Sequence, residues 1–481
     1  MNAITRPFMI ANQWSTGEGE PFVSINPADG TESARIGVAS KSDVDAAVRA
    51  ARAAFDHPSW RALKQHQRAA FLYRMADLTA ANKEVLARAQ TADNGKSMNE
   101  SRAQAASAAD VFRYYGAVCE STESEITPQR GPSVTMTVYE PVGVVAAITP
   151  WNSPITIEAQ KLAPIIAAGN TVVLKPSEVT SQVALEYARL YIEAGFPEGV
   201  VNIITGAGDV GRMLVDRPDI DMISFTGGTK AGQMIAESAG RRLIPVVLEL
   251  GGKSPNIVFA DADLKRAANV VADGIFSGSG QSCIAGSRIF VQREIFDGFL
   301  DSLVTASEIH FPQYPENPSA ISGAMSSFHH RDLVAAFVDR AKLDGGRVVI
   351  GGEILRGGDY DKGAYYPPTI ISDVTNQSRI AREEIFGPVA AIIPFVDEAD
   401  AIAQANDTDF GLAAGVWTSD FAKAWRVGRA LRAGTVWING YKEGSISAPF
   451  GGFKRSGIGR EKGVAGMRSY MQAKSMYWRI E

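Results

Sequence analysis

Cysteine is scarce in this chain, which has only Cys119 and Cys283 among its 481 residues. Two thiols are too few for a disulfide framework, and no group of cysteines and histidines has the spacing of a metal site. We therefore expect a cytoplasmic protein without a bound metal. The first ten residues lack the features of a signal peptide, and no stretch approaches eighteen uninterrupted apolar residues, so we expect no association with a membrane.

The chain also lacks a strong excess of one charge. A formal net charge of −5 gives no basic surface for nucleic acid or for an anionic membrane, so we expect a small-molecule partner and no nucleic acid. A hydrophobic content of 45%, a charged content of 21% and 46 glycines are typical of a globular protein with helices and strands. The length predicts two or three domains, each with its own core.

Apolar strands alternate regularly with helical segments in the second quarter of the chain. Segments separated in this way favour right-handed crossovers and a parallel sheet covered on both faces, which is a common nucleotide-binding architecture. The predicted strands are Val142–Ile148, Thr171–Leu174, Val200–Ile204, Met222–Phe225 and Val246–Leu250. A second series, with strands at Asn256–Phe259, Arg288–Val291, Arg347–Ile350 and Gly434–Asn439, predicts another α/β domain.

A carboxylate and a thiol stand in glycine-rich segments, the first at the end of the last strand of the first series and the second after a predicted helix, Leu264–Ser277, in the second series. Cys283 ends the sequence Gly-Gln-Ser-Cys, and Glu249 precedes Leu-Gly-Gly-Lys. A thiolate can attack an electron-poor carbon, and a carboxylate near it can activate the water that releases the adduct. A lone cysteine is more often a small core residue than a nucleophile. The prediction of a catalytic site therefore rests on Cys283 and Glu249 together. We expect the two groups to meet in the cleft between the domains.

Two glycine-rich turns are candidates for phosphate contact. The segment 206–211 matches G-x-G-x-x-G, but it lies on the third βα unit and lacks the acidic residue that normally ends the next strand. Gly208 in this segment either forms part of an ordinary glycine-rich turn or contacts part of a cofactor. The segment 225–232 places glycines where a strand opens into a helix, whose free N–H groups attract phosphate. Lys175 and Glu178 either bind ribose hydroxyls or form a solvated loop.

The chain contains an ordered set of short motifs: Thr149-Pro150-Trp151-Asn152, Lys175-Pro176-Ser177-Glu178, Phe225-Thr226-Gly227, Glu249-Leu250-Gly251-Gly252-Lys253, Gly280-Gln281-Ser282-Cys283, Glu383-Glu384-Ile385-Phe386-Gly387-Pro388 and Pro449-Phe450-Gly451-Gly452. In its order and spacing, this set resembles the aldehyde dehydrogenase superfamily over essentially the whole chain.

The resemblance implies three structural parts. A Rossmann-like, parallel-sheet cofactor domain would comprise residues 1–122 and 142–252, and an α/β catalytic domain residues 253–455. A small β oligomerisation segment would comprise residues 123–141 and 456–481, and would assemble the chain as a homodimer or homotetramer. The alternating residues Val134–Tyr139 independently predict a projecting hairpin at an assembly edge.

The resemblance also implies the roles of single residues. Cys283 would be the nucleophile, Glu249 the general base and the Asn152 amide an oxyanion donor, and the presence of Glu249 favours the hydrolytic, non-acylating type. NAD is expected as the cofactor rather than NADP, because Glu178 would accept both ribose hydroxyls and repel a 2′-phosphate. The residues expected around the dinucleotide are Ile148, Thr149, Pro150, Trp151, Lys175, Ser177, Glu178, Gly208, Phe225, Thr226, Gly227, Gly228, Leu250, Glu384 and Phe386.

The implied reaction oxidises an aldehyde to a carboxylic acid through a cysteine thiohemiacetal and a thioester. Ser107, Ser153 and Gln160 stand where many relatives have aromatic residues, which favours a polar or ring-bearing aldehyde over a long alkanal. Lys442 could pair with a substrate carboxylate, as in a semialdehyde, or with the neighbouring Glu443. An NADP-preferring enzyme, a cysteine hydrolase without cofactor and a binding protein of the same fold are the alternatives.

Overall fold

The larger of two parallel sheets carries the first strand series. In this computed structural model, which describes residues 4–480, it has eight strands. Their order is Gly457–Ile458, Val246–Glu249, Met222–Thr226, Val144–Ile148, Thr171–Lys175, Val201–Ile203, Phe8–Ile10 and Gln13–Ser15. The five central strands run parallel, whereas the strands at both edges pair antiparallel.

The central strands of this sheet are apolar because both of their faces are covered by helices. In Val144–Ile148, Val145 and Ala147 pack into one hydrophobic cluster, and the alternate residues Val144 and Ala146 pack into another. This alternation follows from the two-residue period of a strand. Helix Lys41–Asp56 covers one face and begins with a capping box, in which Ser40 and Asp43 bond to each other's backbone.

The second sheet has seven strands and carries the rest of the α/β architecture. Their order is Arg347–Ile350, Thr369–Ser372, Val389–Phe395, Arg288–Gln292, Pro255–Val258, Ala413–Trp417 and Thr435–Ile438, and all neighbours are parallel except the first pair. The sequence did not predict Thr369–Ser372, Val389–Phe395 or Ala413–Trp417, although the two-series α/β class is confirmed.

A three-stranded antiparallel sheet stands apart from the two large sheets. It joins Met471–Arg479 to Ser133–Pro141 and Ser133–Pro141 to Glu125–Thr127. Residues 456–470, which the sequence assigned to the oligomerisation segment, do not enter this sheet: Gly457–Ile458 pairs with Val246–Glu249 at the edge of the first sheet. Smaller sheets join Thr5–Arg6, Glu32–Ile36 and Phe22–Ile25, and Phe410–Gly411 with Phe453–Lys454.

The helices fill the connections between strands. They are Lys41–Asp56, Pro58–Arg61, Gln65–Ala81, Lys83–Asn94, Met98–Ser121, Pro154–Ala167, Ser181–Glu193, Gly208–Val215, Thr229–Arg242, Leu264–Phe276, Phe296–Ser307, Phe328–Leu343, Arg379–Arg382, Glu398–Asn406, Phe421–Ala430 and Gly463–Arg468. Among residues 4–480, no helix has the length and apolar character needed to cross a membrane.

Candidate active site

Cys283 lies in a tightly folded loop after helix Leu264–Phe276. The residues before it, Gly278, Ser279 and Gly280, all have left-handed backbone angles. A side chain at Gly280 would place its Cβ 2.2 Å from the carbonyl oxygen of Gly387, so this turn requires glycine. Cys283 is a free, half-buried thiol, and burial raises its pKa to about 12, with further contributions from Glu384 and Glu249. The thiol is therefore protonated at neutral pH in this state.

Glu249 is the last residue of strand Val246–Glu249 and is only 4% exposed. Within residues 4–480, neither of its carboxylate oxygens has a hydrogen-bond partner. Burial raises the pKa of Glu249 well above its ordinary value, the charge of Glu461 raises it further, and Lys161 opposes both effects. A buried carboxyl with a raised pKa is suited to accept a proton near neutral pH.

Glu461 and Lys161, two of the charged groups that shift the pKa of Glu249, belong to a buried polar network. Lys161 pairs with Glu461, and its Nζ also donates to Ser224 Oγ at 3.1 Å. The Ser224 hydroxyl in turn contacts the Tyr470 hydroxyl at 2.8 Å. The sequence reasoning missed this network, because its members belong to no shared motif and its ion-paired residues, Lys161 and Glu461, are 300 positions apart.

Asn152 bridges the first sheet and the thiol loop. Its side-chain Nδ2 donates to the carbonyl oxygen of Gln281 at 3.0 Å. Since an amide nitrogen carries two hydrogens, one donor remains for another acceptor. The Glu249 segment reaches the same loop: a Cβ at Gly252 would lie 2.4 Å from the Cys283 carbonyl oxygen. The three predicted catalytic side chains therefore meet.

Cys283, Glu249 and Asn152 line one cavity of about 240 Å³. Thr226 and Glu249 end strands of the first sheet, whereas Cys283 and Glu384 lie in loops that precede strands Arg288–Gln292 and Val389–Phe395 of the second sheet. The other lining residues are Pro150, Trp151, Ile157, Thr226, Gly227, Gly228, Leu250, Gly251, His330, Glu384 and Phe386.

Three rings form an aromatic wall in this cavity. The Trp151 ring lies 5.2 Å from Phe386 at 85° and 5.1 Å from His330 at 62°. Phe386 has a left-handed backbone, φ 58°, and its carbonyl oxygen lies 2.7 Å from His330 Nε2. The sequence reasoning missed His330, which stands in a His-His pair without any recognisable motif. Burial lowers the pKa of His330, so its ring is neutral at neutral pH.

A groove of about 760 Å³ adjoins the cavity. Pro150, Trp151, Thr226, Gly227 and Gly228 line both spaces, so the two are continuous. The predicted dinucleotide residues all lie here: Leu250, Glu384 and Phe386 line the cavity, and the groove is lined by Ile148, Thr149, Pro150, Trp151, Lys175, Ser177, Glu178, Gly208, Phe225, Thr226, Gly227 and Gly228. The groove residues that the sequence reasoning missed include Asp209, Arg212, Met234 and Ile235.

The chemistry of the groove fits a dinucleotide. Helix Thr229–Arg242 begins at its wall, and Gly228 precedes the helix without a side chain to cap its N–H groups. The hydroxyls of Thr226 and Thr229 are buried and have no hydrogen-bond partner among the described residues. Free N–H groups and unpaired hydroxyls at a helix N-terminus suit a pyrophosphate.

Of the two charged side chains predicted to bind ribose, Lys175 is buried and Glu178 is exposed. Lys175 Nζ donates to the Gly206 carbonyl oxygen at 2.8 Å, and burial lowers the pKa of Lys175. Glu178 lies 3.7 Å from this ammonium, and its side chain is 47% exposed, so its carboxylate is accessible to a ligand. No group of three or more potential metal-binding side chains occurs within residues 4–480.

Two parallel sheets with a thiol, a carboxylate and an amide in the cleft between them, beside a nucleotide-sized groove, define an α/β enzyme. The aldehyde dehydrogenase family model matches residues 14–476, so the chain belongs to this family, as the motifs indicated.

Solved structures agree over nearly the full length. The NAD⁺ complex of an aldehyde dehydrogenase from Bacillus cereus is 37% identical with a TM-score of 0.97, covering 99% of this chain and 97% of that chain. The aldehyde dehydrogenase KauB from Pseudomonas aeruginosa is 40% identical with a TM-score of 0.96, covering 100% of this chain and 97% of that one. An indole-3-acetaldehyde dehydrogenase from P. syringae, solved with NAD⁺ and IAA, matches with 40% identity, the same coverages and a TM-score of 0.97.

Proposed function

We propose that this protein oxidises a polar or ring-bearing aldehyde to a carboxylic acid with NAD as hydride acceptor. The observation that carries the proposal is the convergence of Cys283, Glu249 and Asn152 on one cavity that opens into the groove. An enzyme that acts on a carboxylated semialdehyde and one that prefers NADP are narrower variants of the same function.

Cys283 is the nucleophile in this proposal. Its thiol loses a proton and adds to the aldehyde carbon, which gives a thiohemiacetal whose oxygen carries negative charge. The second N–H of the Asn152 amide and the Cys283 backbone N–H stabilise that oxygen. In comparable sites, loss of one such donor lowers the rate by about 10² to 10³. The raised pKa of the thiol means that this addition requires a proton acceptor or a nearby positive charge.

The groove would hold NAD: the start of helix Thr229–Arg242 would face the pyrophosphate, and Glu178 would face the adenosine ribose. When bound, its nicotinamide supplies the hydride acceptor of the oxidation. Glu178 supports NAD over NADP, because a carboxylate accepts from both ribose hydroxyls and repels a 2′-phosphate. The NAD⁺ complexes of the similar proteins from Bacillus cereus and P. syringae support the same cofactor.

Glu249 completes the reaction by deprotonating the water that hydrolyses the thioester. Its burial and the lack of partners for its carboxylate leave both oxygens free to accept this proton. The hydrolysis releases the acid and restores the thiol. Ser153, whose hydroxyl accepts from Gln104 at 3.3 Å, supports a polar substrate rather than a long alkanal.

The proposal includes the division into a cofactor domain, a catalytic domain and an oligomerisation segment, with assembly as a homodimer or homotetramer. It is supported by the two separate large sheets and by the exposed three-stranded sheet.

A panel of aliphatic, aromatic and carboxylated aldehydes, mixed with protein and NAD, tests the function through NADH absorbance. We expect turnover with polar or ring-bearing members and none with Cys283→Ala. Turnover in Cys283→Ala, or a clear preference for long unbranched alkanals, would contradict the proposal. Repeating the assay with NADP measures the cofactor preference, and equal efficiencies would contradict the role of Glu178.

A further inference from the structure

A cluster of polar and charged side chains borders the thiol loop. Lys96, which is buried, pairs with Glu100, and Gln104 Nε2 donates to Glu100 Oε1 at 3.2 Å. The same Gln104 nitrogen lies 3.3 Å from Ser153 Oγ, next to Asn152. A Cβ at Gly278 would lie 2.8 Å from Lys96 Nζ, which places the cluster against the loop that carries Cys283.

Lys442 lies beside the same loop. The preceding residue, Tyr441, donates its hydroxyl to the carbonyl oxygen of Ile284, which is the neighbour of Cys283 in the sequence. Lys442 itself has a left-handed backbone, with φ 57°. The charge of Lys442 lowers the pKa of Cys283, and the charge of Glu100 raises the pKa of Lys442, so the ammonium lies within electrostatic range of both groups.

The Lys442 ammonium forms no hydrogen bond or ion pair with any residue between 4 and 480. Glu443, the nearest carboxylate in sequence, is exposed, and its Oε1 lies over Gly440, 2.6 Å from the Cβ position there. Glu100 is neutralised by Lys96, and Asp273 is largely exposed and accepts from Ser277 Oγ at 2.6 Å.

Burial lowers the pKa of Lys442 to about 8, so the side chain is still mostly charged at neutral pH. An incoming anion would stabilise this partly desolvated ammonium, because no protein group compensates for the hydration that the ammonium has lost.

We propose that Lys442 determines substrate specificity by pairing with an anionic group, and that the substrate is a short aldehyde with a carboxylate at its other end. This inference rests on the proposed function and names its substrate class. Lys96 and Glu100 form an ion pair, so together they add no net charge beside Lys442.

Matched aldehydes test the preference in the full-length protein with NAD. We expect the wild-type kcat/KM for succinic semialdehyde to exceed that for butanal, and the same order for glutaric semialdehyde against pentanal. Lys442→Gln should lower the ratio of kcat/KM for succinic semialdehyde to kcat/KM for butanal about tenfold, or about 1.4 kcal/mol. The change should arise mainly from the KM of the anionic substrate, while kcat/KM for butanal changes little. Lys442→Arg should retain the preference, and Glu443→Gln should not alter it.

A wild-type ratio near one, or a ratio unchanged in Lys442→Gln, would overturn the inference. A preference lost in Lys442→Arg as well as in Lys442→Gln would also count against it, because the result would then reflect the shape of the loop rather than its charge.

Alkylation of Cys283 gives a readout that needs neither cofactor nor turnover. Iodoacetate and iodoacetamide differ by one charge, and a small free thiol supplies the reference ratio of their rates. We expect the protein to favour iodoacetate relative to that reference, and Lys442→Gln to lower the ratio about tenfold. Cys283→Ala measures the background from Cys119, which is buried.

The two readouts separate the inference from the proposed function. A Lys442-dependent preference for iodoacetate, without NADH from any aldehyde, would leave the anion site standing and refute the oxidation. NADH formation without an anion preference in either assay would support the oxidation and refute the role of Lys442.

Discussion

At the scale of single residues, Glu158 is a buried carboxyl that the proposed reaction does not use. It lies on helix Pro154–Ala167 with 0% exposure, and neither of its oxygens has a partner among residues 4–480. Burial raises its pKa well above the ordinary value and the nearby Asp93 raises it further, while the neighbouring Thr149 hydroxyl opposes both effects. The folded protein therefore holds a proton that the unfolded chain releases above about pH 4.3.

This linkage predicts how Glu158→Gln changes stability. A raised folded-state pKa contributes stability that is complete at low pH and is lost as pH rises from the unfolded pKa towards the folded one. Glutamine keeps the shape of the side chain and does not titrate. The free energy of unfolding of the variant, relative to that of the wild type, should therefore rise by up to about 1.4 kcal/mol per pH unit in that window. Thermal unfolding of both proteins from pH 5 to pH 8 checks this, with exposed Glu123→Gln as the control. A pH-independent difference would contradict it.

The sequence predicted those active-site residues that occur in continuous motifs. Cys283, Glu249 and Asn152 each lie in a short motif, and the structure brings all three to one cavity. His330, Lys161 and Glu461 were missed, because their importance arises from contacts between distant parts of the chain. A fully buried Lys–Glu pair has no sequence pattern, since each residue alone is typical of a solvated surface.

At the scale of structural elements, the start of helix Thr229–Arg242 permits a direct test. Gly228 has φ −69° and ψ 146°, which any residue can adopt, and a Cβ there would meet nothing within 4 Å. Gly228→Ser should therefore fold normally and stabilise the helix by a few tenths of a kcal/mol as an N-cap. Its hydroxyl should also tighten NAD binding several-fold by contact with pyrophosphate. Titration calorimetry and thermal unfolding check both effects, and weaker NAD binding would argue against phosphate at this turn.

The sequence did not predict two strands, because one lacks an alternation of apolar and polar residues and the other lacks residues with high strand propensity. Val389–Phe395 is buried almost throughout, so its apolar run lacks the two-residue period of a half-exposed strand. Ala413–Trp417 contains two alanines and a glycine, which disfavour strands in isolation. Both strands are specified by their parallel neighbours in the second sheet, which is tertiary information. The first sheet was predictable because its strands alternate with clear helices.

At the scale of the whole molecule, the three-stranded sheet is the part that a single chain leaves most exposed. Tyr477 and Trp478 of strand Met471–Arg479 are 75% and 67% exposed, and Ile126 of the opposite edge strand is 75% exposed. Such apolar exposure is typical of an interface, as the proposed assembly requires. Trp478→Glu should leave the fold intact and shift the protein towards smaller assemblies in light scattering, with exposed Lys474→Gln, which also lowers the net charge by one, as the charge-matched control. An unchanged mass would contradict assembly through this sheet.

The central claim is that Cys283 forms a thioester which Glu249 then hydrolyses, and rapid mixing of Glu249→Gln with NAD and a good aldehyde substrate tests it most directly. We expect a burst of one NADH per protomer, an acyl adduct on Cys283 by mass spectrometry, and a steady rate at least about 10²-fold below the wild type. Steady turnover of Glu249→Gln at the wild-type rate, without a burst or an adduct, would contradict the account.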